Sequence, residues 1–312
     1  MLMSNFAAAS ISTTRHNLGS TNVAPVHNGP AGNTVTGSPA NMFDGTAEIC
    51  VFCHTPHGAD STASVPIWNR NLSNPSIYIR YSQLGTATFD AEEAPIGSVS
   101  IACLSCHDGT QAMNVMINTP GSGTTTTITG NWVGGNVSAG GFMLSGVNGN
   151  TTGKGEFPRL GTDLSNDHPV SMQYGGGGIS LTTPLGVLNA ASFVGTYNPD
   201  FAQPCNCSTP SARTVNTAPI GQVGTRVLPS GLTVWWVETD GLPGQSKNDL
   251  KLYTRTDGSS GTGSNLAGVL NTTPQPYVEC ASCHDPHTNN TTFLRRVEGN
   301  AGSLTCLTCH DK

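Results

Sequence analysis

The chain has 312 residues, of which 36% are hydrophobic, 6% aromatic and 10% charged, with 38 glycines and 20 prolines. Ordinary soluble domains carry about 25% charged residues, so a core built from protein alone would be thin, and the chain either stays partly disordered or folds around something that is not protein. A net charge of −6 with four lysines argues against a nucleic-acid partner, and no run of roughly 18 apolar residues offers a membrane span.

Residues 1–49 read as an extended N-terminal arm bearing His16 (TRHNLGS) and His27 (APVHNGP). Its start, MLMSNFAAAS, lacks the cationic and full apolar stretches of a secretory signal. FAAAS fits the tail of a cleaved signal peptide, or the chain begins after one. Residues 50–110 open with CVFCHTPH and hold two Cys-x-x-Cys-His motifs, with VPIWNRNL between them. Residues 111–279 form a long Gly/Thr-rich insertion. TTTTITGNWVGG, GLTVWWVETD and LKLYTRTD predict short strands there, being β-branched or aromatic runs bounded by Gly, Pro and Asp. Residues 280–312 hold two more motifs. The whole reads as one continuous domain, mostly irregular coil, with short helices at the motifs and a few β-strands, wrapped around its prosthetic groups.

Eight of the ten cysteines fall into one repeated pattern: Cys50-x-x-Cys53-His54, Cys103-x-x-Cys106-His107, Cys280-x-x-Cys283-His284 and Cys306-x-x-Cys309-His310. Positions i and i+3 of a helical turn share a face, so both thiols can add to the two vinyl groups of one porphyrin. The next residue then offers its imidazole to the iron. A zinc ribbon wants a second pair roughly 15–20 residues on and no obligatory histidine. Four histidines falling by chance after four such pairs is about a one-in-a-million event under that reading. The expectation is four covalently attached haem c groups. The remaining cysteines, Cys205 and Cys207, have no histidine after them. In an oxidising compartment they can close a small strained disulfide ring, with free thiols or an intermolecular link as the alternatives.

Nine histidines minus four proximal ones leave His16, His27, His57, His168 and His287. Bis-histidine ligation of four irons needs four of them. His57 and His287 follow a proximal ligand by three residues, too close to cross their own porphyrin but able to reach a neighbouring haem. His168 (SNDHPVSM) is the only histidine of the insertion, with Met172 as its rival. His16 is favoured over His27, whose proline-rich setting reads as a solvated loop. Arg70 and Arg80 are candidate partners for haem propionates, and Arg295 and Arg296 lie between the third and fourth motifs.

CVFCHTPH…VPIWNR, CLSCHDGT, NDHPVS, WWVETDG, VECASCHDPH and LTCLTCHDK resemble the multihaem c-type cytochromes of metal-reducing bacteria, and among them the filament-forming tetrahaem extracellular members. The likeness covers the two ends and part of the middle; segments 118–155 and 175–234 match nothing obvious. It implies bis-histidine haems throughout and a head-to-tail homopolymer of copies of this chain. One subunit would donate an N-terminal histidine, here His16 or His27, to a haem of its neighbour. Redox partner cytochromes or extracellular acceptors would complete the circuit, with haem attached in the periplasm and the protein secreted or at the cell surface. A multihaem reductase acting on nitrite or hydroxylamine would need one open iron face and usually a non-histidine proximal ligand. Four proximal histidines and a surplus distal one favour electron transfer without catalysis; a monomeric periplasmic shuttle is the alternative form.

Overall fold

The computed structural model describes residues 11–21, 42–84, 93–121, 126–133, 137–138, 140–143, 159–174, 178–179, 193–194, 223–230, 233–241, 244–255, 275–290, 293–296 and 300–310. Among the described residues the chain is mostly coil, with few short helices and small sheets. It divides into two units: residues 1–74, 101–162 and 286–289 in one, and 75–100, 163–285 and 290–312 in the other. Among the described residues, no helix is long and apolar enough to cross a membrane.

The first unit has very little regular structure. β1 (Met42–Phe43) pairs antiparallel with β2 (Trp132–Val133), the only strand that TTTTITGNWVGG contributes among the described residues. Phe43, Val51, Phe52, Met116 and Ile128 form its principal apolar cluster, with Trp132 packed against it. The Phe43 and Trp132 rings lie 5.1 Å apart, within the range of favourable aromatic pairs.

The second unit is organised by an antiparallel sheet in the order β3 (Met172–Gln173), β9 (Gln275–Val278), β8 (Leu250–Arg255), β7 (Thr233–Val237), β6 (Val223–Val227). A separate pair, β4 (Gly178–Ile179) with β5 (Phe193–Val194), lies apart from it in the topology. TVWWV and LKLYTR both become strands, in register through Trp235↔Leu252 and Val237↔Leu250. Tyr174, Val223, Trp235, Val237, Leu250 and Leu252 make the core, and Cys283 and Cys309 pack against it. The sheet is therefore the bed for two of the four cysteine motifs.

Two ionic features lock this unit. Arg255 Nη1 meets Glu279 Oε1 at 2.9 Å, both side chains almost fully buried. Glu279 also accepts from Ser100 and Ser171, and its backbone N–H donates to Ser282 Oγ at 2.9 Å, which starts the helix of the third motif. Burial still pushes the Glu279 carboxyl up against the lowering effect of Arg255. Between β7 and β8, Glu238 and Asp249 are both fully buried. Glu238 accepts from Trp236 Nε1 and the backbone N–H groups of Asp240 and Gly241; Asp249 accepts from Thr239 and the Ser246 N–H.

Burial pushes the Glu238 carboxyl up to about 7, with the Asp249 charge adding to the effect. The folded chain therefore holds a proton that the unfolded chain has released between pH 4.5 and about 7. Folding stability should fall across that window and level off above it. Glu238→Gln should flatten this slope and stabilise the protein at pH 8, as read by denaturant unfolding across pH; an unaltered slope would refute the assignment.

Candidate haem-attachment sites

All four motifs are locally helical, which brings the two cysteines of each toward one side. Cys50–Phe52 is a 3-10 turn. Cys103 and Cys106 lie in α1 (Ser98–His107), α2 is Cys280–Cys283, and α3 is Leu304–Cys309. In three of them the histidine N–H donates to the carbonyl of the first cysteine: His54 to Cys50 at 2.7 Å, His284 to Cys280 at 3.1 Å and His310 to Cys306 at 3.0 Å. His284 and His310 then leave the helix in extended conformation, at φ −104° and −102°. No disulfide joins the eight motif cysteines. Burial pushes the Cys53 thiol up to about 12 and the Cys283 thiol to about 11, and Cys309 moves the same way for the same cause. A reactive dithiol site needs the opposite shift, toward thiolate at neutral pH.

The histidines are arranged in pairs within the first unit. The rings of His54 and His287 are 6.2 Å apart, centroid to centroid, and nearly parallel at 15°. Those of His16 and His107 are 6.3 Å apart and nearly perpendicular at 87°. Two imidazoles binding one metal from opposite sides, each with a bond of about 2 Å and about 1.1 Å more to the ring centre, stand roughly 6.3 Å apart. Both separations suit a metal in the middle.

Hydrogen bonds decide which nitrogen each ring can offer. His54 Nδ1 lies 2.9 Å from the Pro66 carbonyl, His16 Nδ1 3.1 Å from that of Pro286, and His168 Nδ1 2.9 Å from that of Pro169. A carbonyl only accepts, so Nδ1 carries the proton and Nε2 is left with its lone pair, the usual state of a ligating imidazole. Ile67 holds the first of these contacts in place. Its φ is +50°, unusual for a β-branched residue and a cost of about 1–3 kcal/mol. The strain aims the Pro66 carbonyl at His54 while Thr55 N–H donates to the Ile67 carbonyl at 2.9 Å. Trp68 stands edge-on to His54 at 6.0 Å, and its buried Nε1 has no acceptor among the described residues. Tight turns of paired thiols, imidazoles at axial spacing and this buried donor fit covalently bound haem.

Other expectations fare differently. His57, His168, His284 and His287 are exposed, His16, His54, His107 and His310 half-buried, and His27, Cys205 and Cys207 lie outside the described residues. Met172 is buried in β3, opposite Val278. Arg70 is not a propionate partner. It is fully buried and donates to four backbone carbonyls: Nη1 to Met113 and Val115, Nη2 to Ser105 and Ala112, at 2.9–3.0 Å. A buried guanidinium needs its donors satisfied, and here the loop after His107 supplies three of the acceptors and the last turn of α1 the fourth, all to Nη1 and Nη2. Arg80 faces Glu93 at 3.6 Å, Arg295 faces Asp285 at 3.6 Å and donates to the Ala281 carbonyl, and Arg296 donates to Thr308. Two of the three proline carbonyls lie away in sequence from the imidazole they meet, by 12 positions for His54 and 270 for His16, so no local pattern marks them.

The family model for a doubled CXXCH motif matches residues 275–312. A search of curated proteins finds no match. The matched region holds the third and fourth motifs, and the match supports a multihaem c-type cytochrome carrying covalently bound haem c.

Arg70→Lys keeps one positive charge but cannot fork to four carbonyls. It should destabilise the holoprotein by about 3 kcal/mol or more, read as a lowered denaturant midpoint. An unchanged midpoint would mean that charge alone is what this position supplies.

Proposed function

We propose that the chain carries electrons along four covalently attached haems, each iron held between two imidazoles, outside the cytoplasm and without a catalytic site of its own. Haem bound at the four motifs supplies one-electron iron chemistry. The observation that carries the reading is the pair of imidazole separations, 6.2 and 6.3 Å, with Nε2 left bare in His16 and His54. Histidines on both sides leave no position for a substrate. His57 and His168 are the other two distal ligands, which brings the set to His16, His57, His168 and His287.

The reduced holoprotein should show only low-spin haem spectra, and neither carbon monoxide nor nitrite should bind rapidly. A high-spin ferric signal from one haem of the intact protein would revive the reductase reading.

We also propose that copies of the chain join head to tail into an extracellular filament. The sparse charge of the chain supports this, since weakly charged subunits repel one another little, as does its resemblance to filament-forming relatives. The ligand pair His16–His107 lies within one chain, and the same pair forms between chains if the arm is exchanged with a neighbour. Closure within one chain is the observation that favours the monomeric shuttle, and His27 is then the imidazole left for an intersubunit bond. The C-terminal motif supports an accessible end: Cys306 and Leu307 are exposed.

Negative-stain microscopy of the secreted protein should show filaments, whereas deletion of residues 1–30 should yield soluble tetrahaem monomers with one weakly ligated haem. Truncated protein that still polymerised with four six-coordinate irons would eliminate the exchanged arm.

A further inference from the structure

Two haem sites with the same ligand types need not have the same electronic structure. The rings of His54 and His287 are close to parallel, at 15°. Those of His16 and His107 are close to perpendicular, at 87°. The axial ligand and its setting are the protein's means of tuning haem iron, and ring orientation acts through symmetry. Each imidazole donates π-density along the direction normal to its own plane. Parallel rings both act on one of the two d-orbitals that share the unpaired electron of low-spin ferric iron, and so split that pair. Perpendicular rings act on one orbital each, and the pair stays nearly degenerate.

Resting on the bis-histidine reading above, we infer that His54/His287 and His16/His107 are two axial ligand sets, and that they make the two irons of the first unit electronically unlike: a rhombic low-spin site at His54 and a highly anisotropic low-spin site at His107. One ring of each pair is held in its orientation. His54 is fixed by the Pro66 carbonyl at 2.9 Å behind the strained Ile67. His16 is fixed by the Pro286 carbonyl at 3.1 Å. Pro286 precedes His287, so two adjacent residues orient the distal ligand of one iron and supply the distal ligand of the other.

The test is low-temperature electron paramagnetic resonance of the oxidised holoprotein, with haem counted by pyridine haemochrome absorbance. The wild type should show four haems and both signal types. His16→Ala should remove one haem's worth of the highly anisotropic low-spin signal and add a high-spin signal, leaving the rhombic intensity intact. His287→Ala should do the reverse. Wild-type protein with four low-spin haems and no highly anisotropic signal would overturn the inference while leaving electron transfer standing. So would a His16→Ala protein that loses rhombic intensity instead. A haem count below four in wild type, or high-spin iron in it, would overturn both readings together. Because the wild-type spectrum alone can overturn the inference, poor folding of either variant does not shield it.

Discussion

An imidazole can offer a metal only the nitrogen that its other hydrogen bond leaves bare. In this chain that bond goes three times to the carbonyl of a proline, from His16, His54 and His168. The contact favours one tautomer and restrains the ring, so the position and plane of each imidazole are set by the backbone. The backbone around these contacts is held in turn. Ile67 accepts a positive φ beside Pro66, and Arg70 ties the loop that follows His107, through three carbonyls, to the Ser105 carbonyl of α1. Apolar packing supplies the rest, in the first unit through two small clusters.

The second unit shows a different way of supporting the same motif. There the sheet core receives Cys283 and Cys309 directly, and the buried Arg255–Glu279 pair sits immediately before Cys280. Removing one partner of such a pair would leave a buried charge uncompensated, which costs far more than the intact pair contributes. The cysteine helices are too short to persist alone; a turn of four to six residues is well below the length at which isolated helices form. They exist because tertiary packing holds their ends, at Glu279 for α2 and through Arg296 and Thr308 for α3.

Much of the fold class was legible because attachment chemistry constrains spacing. Two thiols and an imidazole serving one porphyrin must lie within a single turn, and that local rule appears in the sequence as Cys-x-x-Cys-His. The strands TVWWV and LKLYTR were legible from their β-branched and aromatic content. Pairing of imidazoles was not, since His16 meets the Pro286 carbonyl across 270 positions and no local pattern encodes such a contact. Arg70 was misread because residue type announces a charge but not where it is buried. Its neighbour Asn69, also fully buried and bonded to the carbonyls of Val51 and Asn118, marks the same polar interior, in which backbone carbonyls take the place of missing apolar side chains.

The adjacency of Pro286 and His287 limits how this chain can change over evolutionary time. Glycine-rich surface segments generally absorb insertions at little cost, since closing a longer loop adds only slowly to the entropy lost. One residue gained or lost at 286–287 would move a carbonyl away from His16 and an imidazole away from His54 together. Drift in length should thus be free to accumulate around this dipeptide but not within it, and CHDPH should outlast the sequence on either side.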